Sequence, residues 1–356
     1  MKNILISTGG TGGHVIPATI LHEHLKNNFN VYMTSDDRGI QFLDKNKYNI
    51  EIINVPKISK NFFLLPFQIL FLLILTFKSF FLLKRKKIEI LISTGGYMSL
   101  PLCMASKVLK LKLFLFEPNI VLGKSNKIFI NSCKKIFCYS NDVKKFPNKF
   151  KKKILLIPTL LRKEFYSTKV VDNNIDKEIN LLIIGGSQGA KLFDTVIKDS
   201  VIELSKKYKL KIFHQTNFSN YNNLKNFYLQ KKIENELFDF NENIINFMGR
   251  SNICITRAGA STLAELIFLN IPHIAIPLPI AKDNHQSENA YFYQQLGCNW
   301  VLNQHEIINT KLIDKLVHII ENKEEYLDKK MNMKNFNYQN TWNNINQKII
   351  TTINEN

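Results

Sequence analysis

The chain has 356 residues, 45% of them hydrophobic and 22% charged, with a net charge of +19; this is enough apolar material for two packed domains and excludes wholesale disorder. The positive balance fits anionic partners, whether nucleic acid, a phospholipid surface or a phosphorylated substrate, and also fits a lysine-rich drift of composition. Five cysteines, at 103, 133, 138, 254 and 298, form no C-x-x-C pair and no zinc spacing, which points to a reducing compartment.

Met1-Lys2-Asn3 runs straight into an apolar strand, Ile4–Ser7, with no apolar leader before it. Further strands are expected at Val31–Thr34, Glu51–Val55, Ile88–Ser93, Leu113–Glu117, Lys135–Tyr139 and Ile154–Ile157. Helical stretches separate them at Ala18–Asn27, Arg38–Lys47, Phe62–Leu83 and Leu100–Leu109. The alternation predicts a doubly wound parallel α/β sheet. Phe62–Leu83 is nearly long enough to cross a bilayer and is followed by Lys84-Arg85-Lys86-Lys87. Pro66, Gln68, Thr76, Lys78 and Ser79 interrupt it, and a soluble-type strand resumes at Ile88. The reading is a core helix of the first domain, one face of which dips into the headgroup layer of an anionic membrane through Phe62–Lys87.

Thr159 to Lys177 is polar and aperiodic and is taken as a linker. A second strand series is expected at Ile179–Ile184, Leu210–His214, Ile244–Phe247, Asn252–Thr256, His273–Ile276 and Trp300–Leu302. Its helices fall near Ala190–Lys206, Tyr221–Lys232, Ser261–Leu269 and Gln286–Leu296, and a polar helical tail runs from Lys311 to Asn356. Two doubly wound α/β domains follow from this layout.

Glycine-rich turns sit directly after the strands. Thr8-Gly9-Gly10-Thr11-Gly12-Gly13-His14 opens a helix with Pro17 in its first turn. Backbone N–H groups there can hold a pyrophosphate, and the His14 imidazole can take a proton from a nearby hydroxyl or simply cap the loop. Ser93-Thr94-Gly95-Gly96-Tyr97 supplies a second small-residue turn for the same site. Gly185-Gly186-Ser187-Gln188-Gly189-Ala190 and Arg257-Ala258-Gly259-Ala260-Ser261-Thr262 repeat the pattern in the second half. Neither a dinucleotide G-x-G-x-x-G nor a complete P-loop is present, because Val15 and Pro118 stand where glycines are required. No Asp-x-Asp pair or His/Cys cluster offers a protein-held metal. Thr262-x-x-Glu265 fits a capping box, and Glu265 equally fits a carboxylate that accepts hydrogen bonds from ribose hydroxyls. Asp283-Asn284-His285-Gln286 follows a proline-bounded strand, where ligands of open α/β sheets bind. Arg162 is either a phosphate contact or one more solvated cation.

In order, TGGTGGH, STGGY, Glu117-Pro118-Asn119, GGSQGA, RAGASTLAE and DNHQSENA resemble the bacterial N-acetylglucosaminyltransferases of peptidoglycan synthesis, in glycosyltransferase family 28. The likeness runs from Ile4 to about Ala290. It implies the two-Rossmann-domain type B fold (GT-B), two lobes facing a cleft, with the last helix crossing back onto the first. On this resemblance residues 1–160 and about 336–356 form an acceptor- and membrane-binding domain, and 161–335 a UDP-sugar domain. It implies transfer of N-acetylglucosamine from UDP-N-acetylglucosamine to undecaprenyl-pyrophosphoryl-N-acetylmuramoyl-pentapeptide, lipid I to lipid II, by a cofactor-free, metal-independent, inverting displacement. Donor contacts are expected at Thr11, Gly12, Gly13, Asn119, Arg162, Ser187, Asn241, Ala260, Ser261, Thr262, Leu263, Ala264, Glu265, His285 and Gln286. The acceptor side falls on Thr8, Gly9, Gly10, Gly95, Gly96 and Tyr97. His14 is the candidate base, with Glu117 as rival. The enzyme would be peripheral on the cytoplasmic face of the inner membrane, within a cell-wall synthesis complex.

The chain departs from the family pattern at Phe116-Glu117-Pro118-Asn119 and at Pro158-Thr159-Leu160-Leu161-Arg162. The alternatives are a related transferase with another lipid acceptor, a UDP-sugar epimerase on the same fold, and a basic nucleic-acid-binding protein. The last is disfavoured by the lack of an aromatic-and-basic strand motif.

Overall fold

A computed structural model describes residues 1–44, 46–56, 62–168, 175, 178–186, 192–239, 243–307 and 311–356. The chain forms two compact units, Met1–Leu161 with Asn340–Asn356, and Arg162–Gln339.

In the first unit the strands are β1 (Asn3–Ser7), β2 (Asn30–Ser35), β3 (Ile50–Ile52), β4 (Ile90–Ser93), β5 (Lys112–Glu117), β6 (Lys135–Cys138) and β7 (Ile154–Leu156). Among the described residues they form one parallel sheet of order β3-β2-β1-β4-β5-β6-β7. Ile4, Leu5, Ile6, Ile90, Leu91 and Ile92 are wholly buried, as central strands covered by helices on both faces require. After β1 the chain builds β2 and β3 on one side, then returns to place β4 on the other. The sheet's switch point therefore lies between the C-terminal ends of β1 and β4, where Thr8–His14 and Thr94–Tyr97 emerge.

The second unit holds β8 (Ile179–Ile184), β9 (Leu210–Gln215), β10 (Glu234–Phe238), β11 (Ile253–Thr256), β12 (His273–Ala275) and β13 (Trp300–Val301), all parallel, in the order β10-β9-β8-β11-β12-β13. Its switch point falls between β8 and β11, the strands that feed GGSQGA and RAGAST. The last helix, Trp342–Glu355, belongs to the first unit. The Trp342 ring stacks on His24 of the helix Gly12–Leu25 at 3.7 Å, and Asn340 donates to the carbonyl and hydroxyl oxygens of Thr159.

Several sequence expectations are corrected. Among the described residues of Arg38–Lys47 the helical structure is a 3₁₀ turn at Ile40–Phe42. Ile244–Phe247 is a short helix, Ile244–Met248, whose start is capped by the Asn243 side chain; a four-residue apolar run does not by itself distinguish strand from helix. The strand Glu234–Phe238 was hidden by its charged residues, two of which pair with Lys211 on β9. The start of the expected linker is packed: Thr159, Leu160, Leu161 and Phe165 are buried.

Phe62–Leu83 becomes a 3₁₀ turn, Phe62–Leu64, and a helix, Leu65–Arg85. Leu75, Ser79, Leu82 and Leu83 face the protein, whereas Phe63, Phe67, Leu70, Ile74, Phe77 and Phe81 are exposed, Phe63 at 83%. Length and composition would suffice for a membrane span. Yet β1, before the helix, is hydrogen-bonded to β4, after it, with Ile4 opposite Ile90. A spanning helix of 21 residues would hold those strands about 30 Å apart, so the sheet forbids it.

Candidate active site

In the first unit, two glycine turns and a buried carboxylate build the site. Gly9 and Gly10 have φ of 150° and 85°, and Gly95 and Gly96 have 90° and 77°. The Asp36 carboxylate, buried at the end of β2, accepts from Gly10 N (2.7 Å), Gly39 N (2.9 Å) and Arg38 Nε (2.9 Å). Arg38 also donates to the Tyr97 hydroxyl, so Asp36 and Arg38 tie the first turn to the second. Sequence reading missed both; their signal was the Asp-Asp-Arg-Gly run at a strand's C-terminal end.

The helix Gly12–Leu25 starts at Thr11, which makes no side-chain cap hydrogen bond. Gly12 and Gly13 lie in its first turn, where amides have no helical carbonyl to meet, so the helix presents an anion site. His14 Nδ1 lies 2.8 Å from the Thr94 carbonyl. A carbonyl only accepts, so Nδ1 carries the proton and the lone pair of the neutral ring is on Nε2. A Cβ on Gly96 would stand 3.4 Å from His14 Cδ2 and 3.5 Å from Nε2, so that glycine lets the turn lie against the imidazole.

Glu117 ends β5 and is buried. Its carboxylate accepts from Gly123 N (2.7 Å), Asn126 Nδ2 (3.0 Å), Asn119 Nδ2 (3.1 Å) and Asn119 N (3.3 Å). Burial pushes its pKa up while these donors oppose the shift. Four donors occupy the carboxylate, and together they fold the loop from Pro118 to Gly123 around it. Asn126, a further residue the sequence reading passed over, lies beside Gly95: a Cβ there would stand 3.5 Å from its Nδ2 and 3.4 Å from His14 Cε1.

In the second unit, the helix Ala260–Phe268 starts at Gly259, so Thr262 is inside the helix and no Thr262–Glu265 capping box forms. The Glu265 carboxylate instead accepts from Arg162 Nη2 at 3.0 Å. Burial raises the Glu265 pKa, and the guanidinium opposes it. Arg162 and Glu265, 103 residues apart in sequence, are thus one pair, and Arg162 is not a solvated surface cation. Ala260, Ser261 and Thr262 are half-buried in the helix's first turn, whereas Leu263 and Ala264 bury their side chains in the core. Asp283 and Asn284 are both left-handed, at φ 56° and 59°, and this strained turn delivers the half-buried His285 and Gln286; Gln286 accepts from Leu278 N. Arg257 is buried, bound to the carbonyls of Ile276 and Pro277 and to Gln304. Ser187 and Asn241 lie outside the described residues.

Residues 4–138 match the Glycosyltransferase family 28 N-terminal domain, and residues 180–347 the Glycosyltransferase family 28 C-terminal domain. The chain is 61% identical over 355 residues to the UDP-N-acetylglucosamine--N-acetylmuramyl-(pentapeptide) pyrophosphoryl-undecaprenol N-acetylglucosamine transferase of Pelagibacter ubique, covering 100% of this chain and 99% of that one. It is 34% identical over 328 residues to the Rickettsia canadensis protein of the same name, covering 90% and 92%. The crystal structure of Acinetobacter baumannii MurG shares the fold at a TM-score of 0.73 and 23% identity, covering 94% and 95% of the two chains. With both domain matches in register with the two sheets and their glycine turns, the chain belongs to glycosyltransferase family 28.

Proposed function

We propose that this protein transfers N-acetylglucosamine from UDP-N-acetylglucosamine to undecaprenyl-pyrophosphoryl-N-acetylmuramoyl-pentapeptide, converting lipid I to lipid II. The observation that carries the reading is 61% identity across the full chain to a transferase of that name.

The second unit holds the donor. Glu265 accepts from the ribose hydroxyls, and the uncapped first turn at Ala260–Thr262 and the turn at Gly185–Ala190, with Ser187, meet the diphosphate. Arg162 opposes the rise that burial imposes on the Glu265 pKa and adds positive charge, with His285, Gln286, Asn241 and Asn119 as further donor contacts. In the first unit Thr8–Gly10 and Gly95–Tyr97 take the acceptor's pyrophosphate end, while Thr11, Gly12 and Gly13 are read as donor contacts. The acceptor hydroxyl oxygen attacks the sugar's anomeric carbon. The bond to the UDP oxygen breaks with its electron pair leaving on UDP, and the configuration inverts. The hydroxyl proton passes to His14 Nε2, whose lone pair is fixed there by the Nδ1 contact with Thr94. Glu117, enclosed by its four donors, shapes the neighbouring loop instead.

The exposed stripe from Phe63 to Phe81, ending in Lys84 and Arg85, lies along an anionic membrane surface and keeps the enzyme peripheral, on the cytoplasmic face where the lipid-linked acceptor is met. The test is incubation with labelled UDP-N-acetylglucosamine and a short-chain lipid I analogue in detergent. A disaccharide product is expected; intact folded protein that forms none would remove the reading.

A further inference from the structure

Two neighbouring loops close over the turn that follows β1. In the sheet order β2 and β4 flank β1, so their C-terminal ends stand about 10 Å apart, with Gly9 and Gly10 between them. A Cβ on Gly9 would lie 2.8 Å from Asp36 Oδ1, after β2, and 3.2 Å from Met98 Cγ, after β4. Gly39 has a φ of −75°, which any residue adopts, but a Cβ there would stand 2.9 Å from Gly9 Cα. The turn is thus gripped from both sides, at an approach that the absence of side chains permits.

One side chain spans the gap. Asp36, its side chain 4% exposed, holds the Gly10 and Gly39 amides on Oδ1 and the Arg38 guanidinium on Oδ2, with Nε and Nη2 both at 2.9 Å. Arg38 continues past Gly10, where a Cβ would meet Nη2 at 3.7 Å, to the hydroxyl of Tyr97. Its Cζ lies 5.2 Å from the centre of the Tyr97 ring, and Nη2 lies 3.7 Å from Met98 Sδ. Tyr97 follows Gly96, which itself lies against the His14 imidazole. The contacts therefore run unbroken from the first glycine turn through Asp36 and Arg38 to the second turn. A buried carboxylate paired with a guanidinium adds little stability over an apolar pair. What it gains is fixed direction in the backbone it holds. A guanidinium suits this task because its planar fork meets two partners at set angles, whereas a lysine ammonium is a single point charge.

We propose that Asp36 and Arg38 are positioning residues that strap the two acceptor-side turns together, holding Gly9–Gly10 and Gly95–Tyr97 at the spacing the acceptor's pyrophosphate requires. This rests on the acceptor reading above and adds two residues to it. The strap acts on the acceptor and leaves UDP, which the second unit holds on that reading, alone.

The experiment uses the full chain with the variants Arg38→Met, Arg38→Lys, Tyr97→Phe, Gly39→Ala and the double variant Arg38→Met with Tyr97→Phe. KM for a short-chain lipid I analogue is read from disaccharide formation, the UDP Kd by calorimetry and folding by thermal melts. For Arg38→Met the acceptor KM rises about tenfold or more, the loss expected when charge-assisted hydrogen bonds go, with the UDP Kd within about twofold. Arg38→Lys keeps the charge beside Asp36 but not the reach to Tyr97, so it stays closer to Arg38→Met than to wild type. Adding Tyr97→Phe to Arg38→Met costs no more than about a further threefold, because the strap is already cut. Gly39→Ala displaces Gly9 with no change of charge and raises the acceptor KM in the same direction. Arg38 is 44% exposed, so its variants keep the core and carry the test if Gly39→Ala does not fold. An unchanged acceptor KM in the folded variants, a wild-type KM for Arg38→Lys, losses that multiply in the double variant, or UDP affinity that falls as far as acceptor affinity each overturns the proposal. Wild-type protein that forms no disaccharide overturns the transfer reading itself, which separates the two failures.

Discussion

Arg162 and Glu265 form one ion pair, and if Glu265 holds the donor as proposed, that pair sets the pH range over which the donor binds. Burial raises the Glu265 pKa, and on the proposed donor reading the ribose hydroxyls need its anion as acceptor. Donor affinity therefore falls as pH drops through that raised value. Arg162→Met removes the guanidinium that opposes the rise, so the loss should move to higher pH, by about one unit if the pair is worth about 1.4 kcal/mol. UDP titrations of wild type and variant across pH check this; superimposable profiles would show that the pair does not control ionisation. His14 makes a second residue-level case. Gly96→Ala places a methyl 3.4 Å from the imidazole at a φ of 77°, which alanine rarely adopts. Turnover should fall by about tenfold to a hundredfold, the scale of misplaced proton transfer, with the UDP Kd unchanged. A variant that loses UDP affinity but keeps kcat would place His14 in binding instead.

At the scale of the element, the helix Leu65–Arg85 reads differently on its two sides. Leu75, Ser79, Leu82 and Leu83 pack inward, while the outward stripe meets solvent with Phe67 71% and Phe77 65% exposed. If that stripe lies in a headgroup layer, Phe67→Ser with Phe77→Ser should lower partitioning onto vesicles containing anionic lipid by about tenfold or more, since a fully buried phenylalanine is worth about 1.5–3 kcal/mol. Melting temperature should hold, because neither side chain supports the core. Sedimentation with vesicles at several anionic fractions measures it, and equal partitioning would rule out this face. The helix was legible as apolar and long in the sequence. Its orientation was not, because which side is covered depends on the sheet and the helix Leu100–Val108 packed against it.

At the scale of the molecule, each unit carries a buried, neutral histidine. His24 in the first, stacked on Trp342, and His273 in the second, bound to the Ile271 carbonyl, are both lowered by burial to about 4. With the folded value below the unfolded one, the unfolded chain binds protons first, so stability is full above about pH 6.5 and lost as pH falls toward about 4. Each site removes on the order of 3 kcal/mol over that interval, in whichever unit holds it. Thermal melts from neutral to acid pH should show a steep fall in Tm. His273→Gln should flatten the fall for the second unit only, and a Tm indifferent to pH over this range would contradict the burial argument.

Sequence alone determined the parallel α/β class and the glycine turns, because alternating apolar runs, glycine and strand-end position are local signals that few backbones satisfy. It also placed Glu265, Arg162 and His14 among the functional candidates, through motif order. Tertiary structure decided which partners those residues meet. Arg162 meets Glu265 across 103 residues, Asp36 gathers the amides of Gly10 and Gly39, and Asp194 reaches a strand end that a helix separates from it in sequence. The capping box failed for the same reason: the helix begins at Gly259, and the carboxylate found the half-buried Arg162 guanidinium instead. Local pattern fixes which backbone a segment can adopt, whereas the partner of a buried charge is chosen by whichever donors the folded sheet brings within hydrogen-bond reach.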